Sequence, residues 1–130
     1  MKLSVKKTFS MLMLVFMLTI VLALPAFAAA TNYQFLDANG NYSPHATAFT
    51  YDAVISGSTV TVHYDSAYVY GLKVYNAATG LYDTIPGTVS GSYIYFTFDV
   101  NDFDTNLPVK LGVNAGPHSG DLDLFIEWLL

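Results

Sequence analysis

The chain has 130 residues, with ten acidic residues against five basic ones and no cysteine. Without cysteine it has neither disulfides nor thiolate zinc sites, and its acidic balance argues against nucleic-acid binding because phosphate backbones would be repelled. The length suits one domain with a single core.

The first 28 residues have the pattern of a secretory signal peptide. Three lysines precede an apolar run at 11–24, and the stretch ends in Ala-Phe-Ala. The run is shorter than the roughly 20 residues of a membrane span, so an uncleaved anchor is the less favoured alternative. Cleavage after Ala28 would leave a single mature domain over residues 29–130.

Removal of this leader would leave two lysines, Lys73 and Lys110, against all ten acids, a net charge of −8. Such a surface repels nucleic acid and anionic membranes alike. The sequence carries no Leu-Pro-x-Thr-Gly sorting signal, and no cysteine follows the expected cleavage point. These features predict a bacterial protein that is secreted and is either released or held non-covalently at the cell surface.

Apolar and polar residues alternate with period two along the chain, which predicts β-strands. Residues 44–48 fit one helical turn, and residues 114–120 fit the loop of a last hairpin, with His118 at its tip. The predicted strands lie at 49–55, 59–64, 70–75, 81–85, 93–100, 109–114 and 121–128. Seven or eight short strands with such spacing predict an all-β fold, an immunoglobulin-like antiparallel β-sandwich.

No group of residues in the sequence indicates catalysis. The chain lacks a cysteine nucleophile and a Gly-x-Ser-x-Gly motif, and its three histidines, His45, His63 and His118, lie in separate segments. Serine–histidine–acid sites do assemble from distant segments, but nothing in this sequence singles one out. The sequence therefore predicts a protein that is not an enzyme.

One acidic stretch has the beginning of a calcium loop. Asp102, Asp104 and Asn106 match the first, third and fifth positions of an EF-hand loop. Leu107 stands where that loop needs glycine, and Val113 stands where it needs a bidentate glutamate. The EF-hand is therefore excluded. A solvated acidic connection is the favoured interpretation, and a looser calcium site is the alternative.

All ten tyrosines follow residue 28. Tyr93 and Tyr95 alternate with Phe96 and Phe98, which predicts that the two tyrosines lie on the outer face of a sheet. Exposed tyrosine rows contact sugars, porphyrins or proteins. Strand propensity alone is the other explanation for their number.

Three stretches resemble a NEAT domain, the near-iron-transporter module of Gram-positive bacteria. They read STVTVHYDSAYVYGLKVYNAATGLYDTI at 58–85, YIYFTFDVNDFDTNLPVKLGV at 93–113 and HSGDLDLFIEW at 118–128. The resemblance covers about residues 48–128. It implies an immunoglobulin-like sandwich and a function in iron acquisition, through binding of haem or of a haem-carrying protein.

The resemblance also implies a site. Many members of this family bind haem between the last hairpin and a short helical turn near the start of the domain. On that basis Thr47 and Phe49 would lie above the haem with Tyr51 nearby, and His45 would line the same groove as His118.

The last hairpin departs from the family pattern. Its Tyr-x-x-x-Tyr motif, whose first tyrosine ligates iron, has no counterpart at 113–122. His118 is the residue of this hairpin that can ligate iron strongly, because a neutral imidazole is a good iron ligand. Three interpretations of His118 follow: a haem or metal ligand, a solvated histidine in a turn, or a contact in a protein interface.

Two functions are therefore predicted. The first is a secreted domain that binds haem or a haem-carrying protein. The alternative is a structural or adhesive domain at the cell surface that binds a protein or a glycan. Self-association fits the alternative, since the edge strands have few lysines to prevent strand addition.

Overall fold

The computed structural model describes residues 29–130, and the predicted signal peptide at 1–28 lies outside the described residues. Residues 29–130 form one short helix and nine strands. In chain order these are β1 (Tyr33–Leu36), α1 (Pro44–Thr47), β2 (Val54–Ser56), β3 (Thr59–Asp65), β4 (Val69–Asn76), β5 (Leu81–Ile85), β6 (Gly87–Ser90), β7 (Tyr93–Asp99), β8 (Leu107–Ala115) and β9 (His118–Trp128). No helix in this range is long and apolar enough to cross a bilayer.

The strands form two antiparallel sheets that pack as a sandwich. One sheet has five strands in the order β1-β9-β8-β4-β5, and the other has four in the order β2-β3-β7-β6. This arrangement confirms the predicted all-β, immunoglobulin-like class. The sequence pattern did not indicate β1 or β6, and residues 49–53 of the predicted strand 49–55 precede β2 instead of belonging to it. The four residues of β6 are all exposed and therefore show no apolar alternation.

The core lies between the two sheets and follows the period-two pattern. In β3 the side chains of Val60, Val62 and Tyr64 are fully buried, while the residues between them face outward. Burying one such large apolar side chain contributes roughly 1.5–3 kcal/mol. Other large residues of the same core are Tyr33, Phe35, Val69, Leu72, Val74, Ile94, Phe96, Phe98, Val109, Leu111, Leu124, Ile126 and Trp128.

Aromatic rings fill the part of the core beside β1 and β9. The Tyr33 and Tyr64 hydroxyl groups are buried, and that of Tyr33 donates to that of Tyr64 at 3.1 Å. Trp128 packs against Tyr33 and Phe103, with ring centroids 6.0 and 5.2 Å away. These contacts join the first strand, the last strand and the connection before β8.

The closing hairpin has a shorter turn than the sequence pattern suggested. The sequence pattern predicts a loop at 114–120, but the ladder between β8 and β9 continues to the pair Ala115–His118. Only Gly116 and Pro117 connect the strands. Gly116 has φ 61°, as the first central position of a two-residue hairpin turn requires.

Both lysines of the described residues lie on the outer face of the five-stranded sheet. Lys73 contacts Asp121 at 3.2 Å, and Lys110 contacts Asp123 at 2.6 Å. The Lys110 ammonium also lies 4.9 Å from the centroid of the Tyr82 ring. The cationic charge is thus confined to β4 and β8, and carboxylates of β9 pair with it.

Candidate functional site

A groove opens between α1 and the inner face of the five-stranded sheet. Its volume is about 430 Å³, within the range of about 300–1,000 Å³ typical of small-molecule sites. The lining residues are Asp37, Ser43, His45, Ala46, Phe49, Tyr68, Val69, Leu111, Val113, Leu122, Asp123 and Leu124. They come from α1 and its flanks, the turn before β4, and the strands β4, β8 and β9.

Local sequence determines how α1 forms one edge of this groove. Ser43 caps the helix, since its hydroxyl accepts from the Ala46 amide at 3.4 Å, and Pro44 occupies the first helical position. The buried Thr47 hydroxyl accepts from the Phe35 amide at 3.1 Å. The Ser43 amide donates to the Phe35 carbonyl at 3.0 Å. These bonds fasten α1 to the free edge of β1.

The walls of the groove are mainly aliphatic. The closing hairpin contributes Leu111 and Val113 from β8, and Leu122 and Leu124 from β9. These four side chains alternate with outward-facing residues, so the strand pattern itself turns them toward the groove. Such a wall suits an apolar ligand.

An aromatic pair borders the same space. The rings of Phe49, just after α1, and Tyr68, just before β4, have centroids 5.6 Å apart at 50°. Both side chains are more than a third exposed. The pair therefore offers aromatic surface at the entrance of the groove.

Few polar groups line the groove. The Asp37 carboxylate accepts from the Asn39 amide at 2.9 Å and from the Asn41 amide at 3.0 Å, which fixes the turn before α1. The Asp123 carboxylate pairs with Lys110. None of the described lining residues is a lysine or an arginine. Asp37 is therefore the carboxylate of the groove side chains, because the Asp123 side chain lies with Lys110 on the outer face of the sheet.

The structure brings together two of the five residues that the resemblance assigns to a haem groove. His45 and Phe49 both line the groove. Thr47 does not line it, because its side chain is buried against β1 and bonds Phe35. Its observed position supports the attachment of α1 rather than contact with a ligand.

Tyr51 lies elsewhere, in a cluster on the outer face of the four-stranded sheet. Its ring stacks on His63, with centroids 4.8 Å apart at 10°, and His63 also stacks on Tyr95 at 5.2 Å. Tyr93 meets both Tyr51 and His63 edge-on. Burial raises the pKa of Tyr51, and the Tyr93 side chain acts in the same direction. Burial lowers the pKa of His63, which favours a neutral imidazole in the stack.

His118 is the first residue of β9, and its backbone pairs with that of Ala115. Its side chain lies outside what the structure describes. The assignment of His118 as a metal ligand therefore stays a prediction.

The acidic connection between β7 and β8 has local partners for its first carboxylate. Asp102 accepts from the Thr105 hydroxyl at 2.6 Å and from the Asp104 amide at 2.8 Å. These hydrogen bonds hold the pKa of Asp102 below its usual value. Among the side chains that the structure describes, which do not include that of His118, no three histidine, aspartate or glutamate residues are grouped as a metal site would require.

Sequence reasoning did not single out Tyr68 as a groove residue. Tyr68 belongs to the turn between β3 and β4, and its carbonyl accepts from the Asn114 amide of β8 at 2.7 Å. This bond spans distant parts of the chain, so no local pattern marks it. The sequence feature that could have drawn attention to Tyr68 is the group of five tyrosines from Tyr64 to Tyr82.

Comparison with known proteins finds similarity in structure but not in sequence. No protein-family model and no curated protein matches the chain. Among solved structures, the NEAT5 domain of IsdX2, a B. anthracis hemophore, in complex with heme superposes with a TM-score of 0.58 at 11% identity, covering 75% of this chain and 90% of that one. A mutant of the same domain, also in complex with heme, gives a TM-score of 0.60 at 11% identity, with 75% and 89% covered. The chain therefore has a NEAT-like fold.

Proposed function

We propose that this protein is a secreted, non-catalytic domain that binds haem in the groove between α1 and the closing hairpin. Its function would be iron acquisition. The observation that carries the proposal is the groove itself, an aliphatic-walled space of about 430 Å³ with aromatic rings at its entrance. The solved NEAT domains that share this fold were determined with heme bound, which supports the same ligand class here.

The residues present fit such a ligand. A porphyrin face is apolar and needs apolar walls, which β8 and β9 supply through Leu111, Val113, Leu122 and Leu124. Bound haem supplies an iron that takes a nitrogen or oxygen ligand. The haem propionates are anionic, so they would face solvent rather than the Asp37 carboxylate of the groove.

Titration of residues 29–130 with haemin tests this proposal. We expect a saturable Soret band at one equivalent. Leu122→Asp places a carboxylate in the aliphatic wall and should weaken binding by at least about tenfold, because burying an unpaired charge is costly. Leu81→Asp is the matched control, since Leu81 is 67% exposed on β5.

Unsaturable absorbance, or equal effects of the two leucine variants, would contradict binding in this groove. Far-ultraviolet circular dichroism of both variants shows whether each keeps the β-fold. Iron-free protoporphyrin IX serves as a second ligand, since it presents the same apolar face without a metal.

The leader and the domain boundary belong to the same proposal. We infer that residues 1–28 are removed during export and that residues 29–130 form the mature domain, which contains every described strand. The intact mass of the protein recovered from the culture medium tests both. A mass that includes residues 1–28 would contradict cleavage.

A structural or adhesive role is the second candidate, and the exposed edge of the four-stranded sheet favours it. All four residues of β6 are exposed, with Val89 at 62%, and neither β5 nor β6 carries a lysine. An unprotected edge permits strand addition by another copy. Analytical sedimentation of residues 29–130, compared with the same residues carrying Val89→Lys, tests this role. Self-association that the lysine abolishes would support it. A monomer at all concentrations would contradict it.

A further inference from the structure

Strand β4 breaks its alternation of inward and outward side chains beside the groove. Leu72 and Val74 are buried in the core, so strict alternation would also turn Tyr70 inward. Instead Tyr70 is 56% exposed, and Val69 is buried and lines the groove. Two successive residues, Tyr70 and Gly71, therefore lie off the core face of the strand.

A β-bulge causes this break. The ladder between β4 and β8 pairs Gly71 with Gly112 and then Val69 with Val113, so Tyr70 has no partner. One extra residue in a strand exchanges the faces of the residues beyond it. A ladder without the bulge would pair Tyr70 with Val113, which lines the groove. The tyrosine ring would then lie in the groove in place of Val69.

The chain is held by β8 on both sides of the bulge. After Tyr70 the paired glycines continue the ladder. Before it, the Tyr68 carbonyl accepts from the Asn114 amide at 2.7 Å. The irregular backbone is therefore confined to one residue at the wall of the groove.

Gly112 gives the outward ring its position on the other face of the sheet. A Cβ atom on Gly112 would lie 2.7 Å from the Tyr70 Cε2 atom and 2.9 Å from its Cζ atom. Both distances are well below the carbon–carbon contact distance of about 3.5 Å. At Gly71, across the ladder, a Cβ atom would meet nothing within 4 Å. The ring therefore needs glycine at position 112 but not at position 71.

We propose that this bulge sets the width of the groove, and that Tyr70 and Gly112 determine which ligands enter although neither residue lines it. The bulge keeps a valine in the wall where a regular ladder would place a tyrosine. The space of about 430 Å³ is thereby left open to a ligand. The identity of that ligand as a porphyrin rests on the function proposed above.

The Gly112→Val variant of residues 29–130 tests this inference. The probe is iron-free protoporphyrin IX, which a tyrosine in the groove would obstruct but could not ligate. Valine takes the space of the outward ring and favours a regular strand, so we expect Tyr70 to turn into the groove. Affinity should fall by at least about tenfold, because the ring overpacks the site. Adding Tyr70→Val should restore it, since residues 69 and 70 are then both valine and either register leaves the groove open.

Gly71→Val is the matched control, because it adds the same side chain across the ladder without meeting the ring. This variant and Tyr70→Val alone should each bind within about twofold of the parent chain. Circular dichroism shows whether every variant keeps the β-fold. The inference is overturned if Gly112→Val binds as the parent does, or if Tyr70→Val fails to restore the lost affinity.

Nuclear Overhauser contacts test the same inference without a ligand. The Tyr70 ring protons should contact the Gly112 α-protons in the parent chain and the Val113 methyl protons in the Gly112→Val variant. A variant whose Tyr70 ring stays on the outer face would refute the exchange of faces. If the parent chain binds neither haemin nor protoporphyrin IX, haem binding fails as the function, while these contacts still decide which residue faces the groove.

Discussion

Tyr33 and Tyr64 place two hydroxyl groups in the centre of the sandwich, where the bond between them replaces contact with water. Tyr64→Phe should lower the free energy of unfolding by about 1–3 kcal/mol, because it leaves the buried Tyr33 hydroxyl unsatisfied. Urea unfolding measures this change. The double variant with Tyr33→Phe should recover most of the loss, and a double variant as unstable as both single variants combined would contradict the explanation.

The same pair predicts sensitivity to alkali. Burial raises the pKa of Tyr33, with Tyr64 adding to the effect, and burial likewise raises the pKa of Tyr64. Both groups stay protonated in the folded state while they ionise in the unfolded state above about pH 10. The stabilisation is therefore complete below that pH and is lost as the pH rises. Above that pH, ionisation of each group in the unfolded state raises the equilibrium constant for unfolding by about tenfold per pH unit.

Urea midpoints measured from pH 8 to pH 11 check this prediction. The double variant Tyr33→Phe, Tyr64→Phe supplies the control, since it lacks both buried phenols. Midpoints that decline equally in the parent and the double variant would assign the alkaline loss to other groups.

The attachment of α1 depends on one buried hydroxyl. Thr47→Val keeps the shape of the side chain but removes the acceptor of the Phe35 amide, which β1 cannot satisfy on its free edge. We expect a loss of about 1–3 kcal/mol in unfolding free energy, measured by urea denaturation. Thr84→Val is the matched control on an exposed strand position and should change stability by no more than about 0.5 kcal/mol.

Period-two alternation was sufficient to predict the central strands, because each of them buries one face. It was insufficient for β1, which has only four residues, for β6, which buries no residue, and for the end of the closing hairpin. There, Asn114 and Ser119 have turn-like character, yet they pair directly across the ladder. Hydrogen bonding between backbones extended these strands where side-chain chemistry predicted a loop.

The candidate site was only partly predictable from the sequence, because tertiary packing brings some of its residues together. His45 and Phe49 come from one segment that the family resemblance identified, and both line the groove. Tyr51 follows two residues later, but the chain has already reached the other sheet, where its ring stacks on His63. Tyr68 joins the groove through tertiary packing, which sequence spacing does not encode.

The molecule as a whole is strongly anionic, and both lysines of residues 29–130 are paired on one sheet. Haemin carries two propionates, so long-range repulsion should slow its association at low salt. The association rate should rise severalfold between about 0.01 and 0.15 M salt, as the screening length falls from about 30 to about 8 Å. Stopped-flow absorbance measures this rate.

Haemin dimethyl ester is the control for that experiment, because its propionates are uncharged. Its association rate should be nearly independent of salt. A haemin rate that falls as salt is added would mean that the approach to the groove is locally attractive, in conflict with the described charges.

Trp128 gives the molecule an optical property of its own. It is the single tryptophan of the chain, it is 8% exposed, and its indole nitrogen has no hydrogen-bond partner among the described residues. An indole in such dry surroundings emits at short wavelength, and its emission shifts to longer wavelength when water reaches it. Since Trp128 ends β9 and packs on Tyr33 of β1, native fluorescence reports the closure of the sandwich between its first and last strands without any added label.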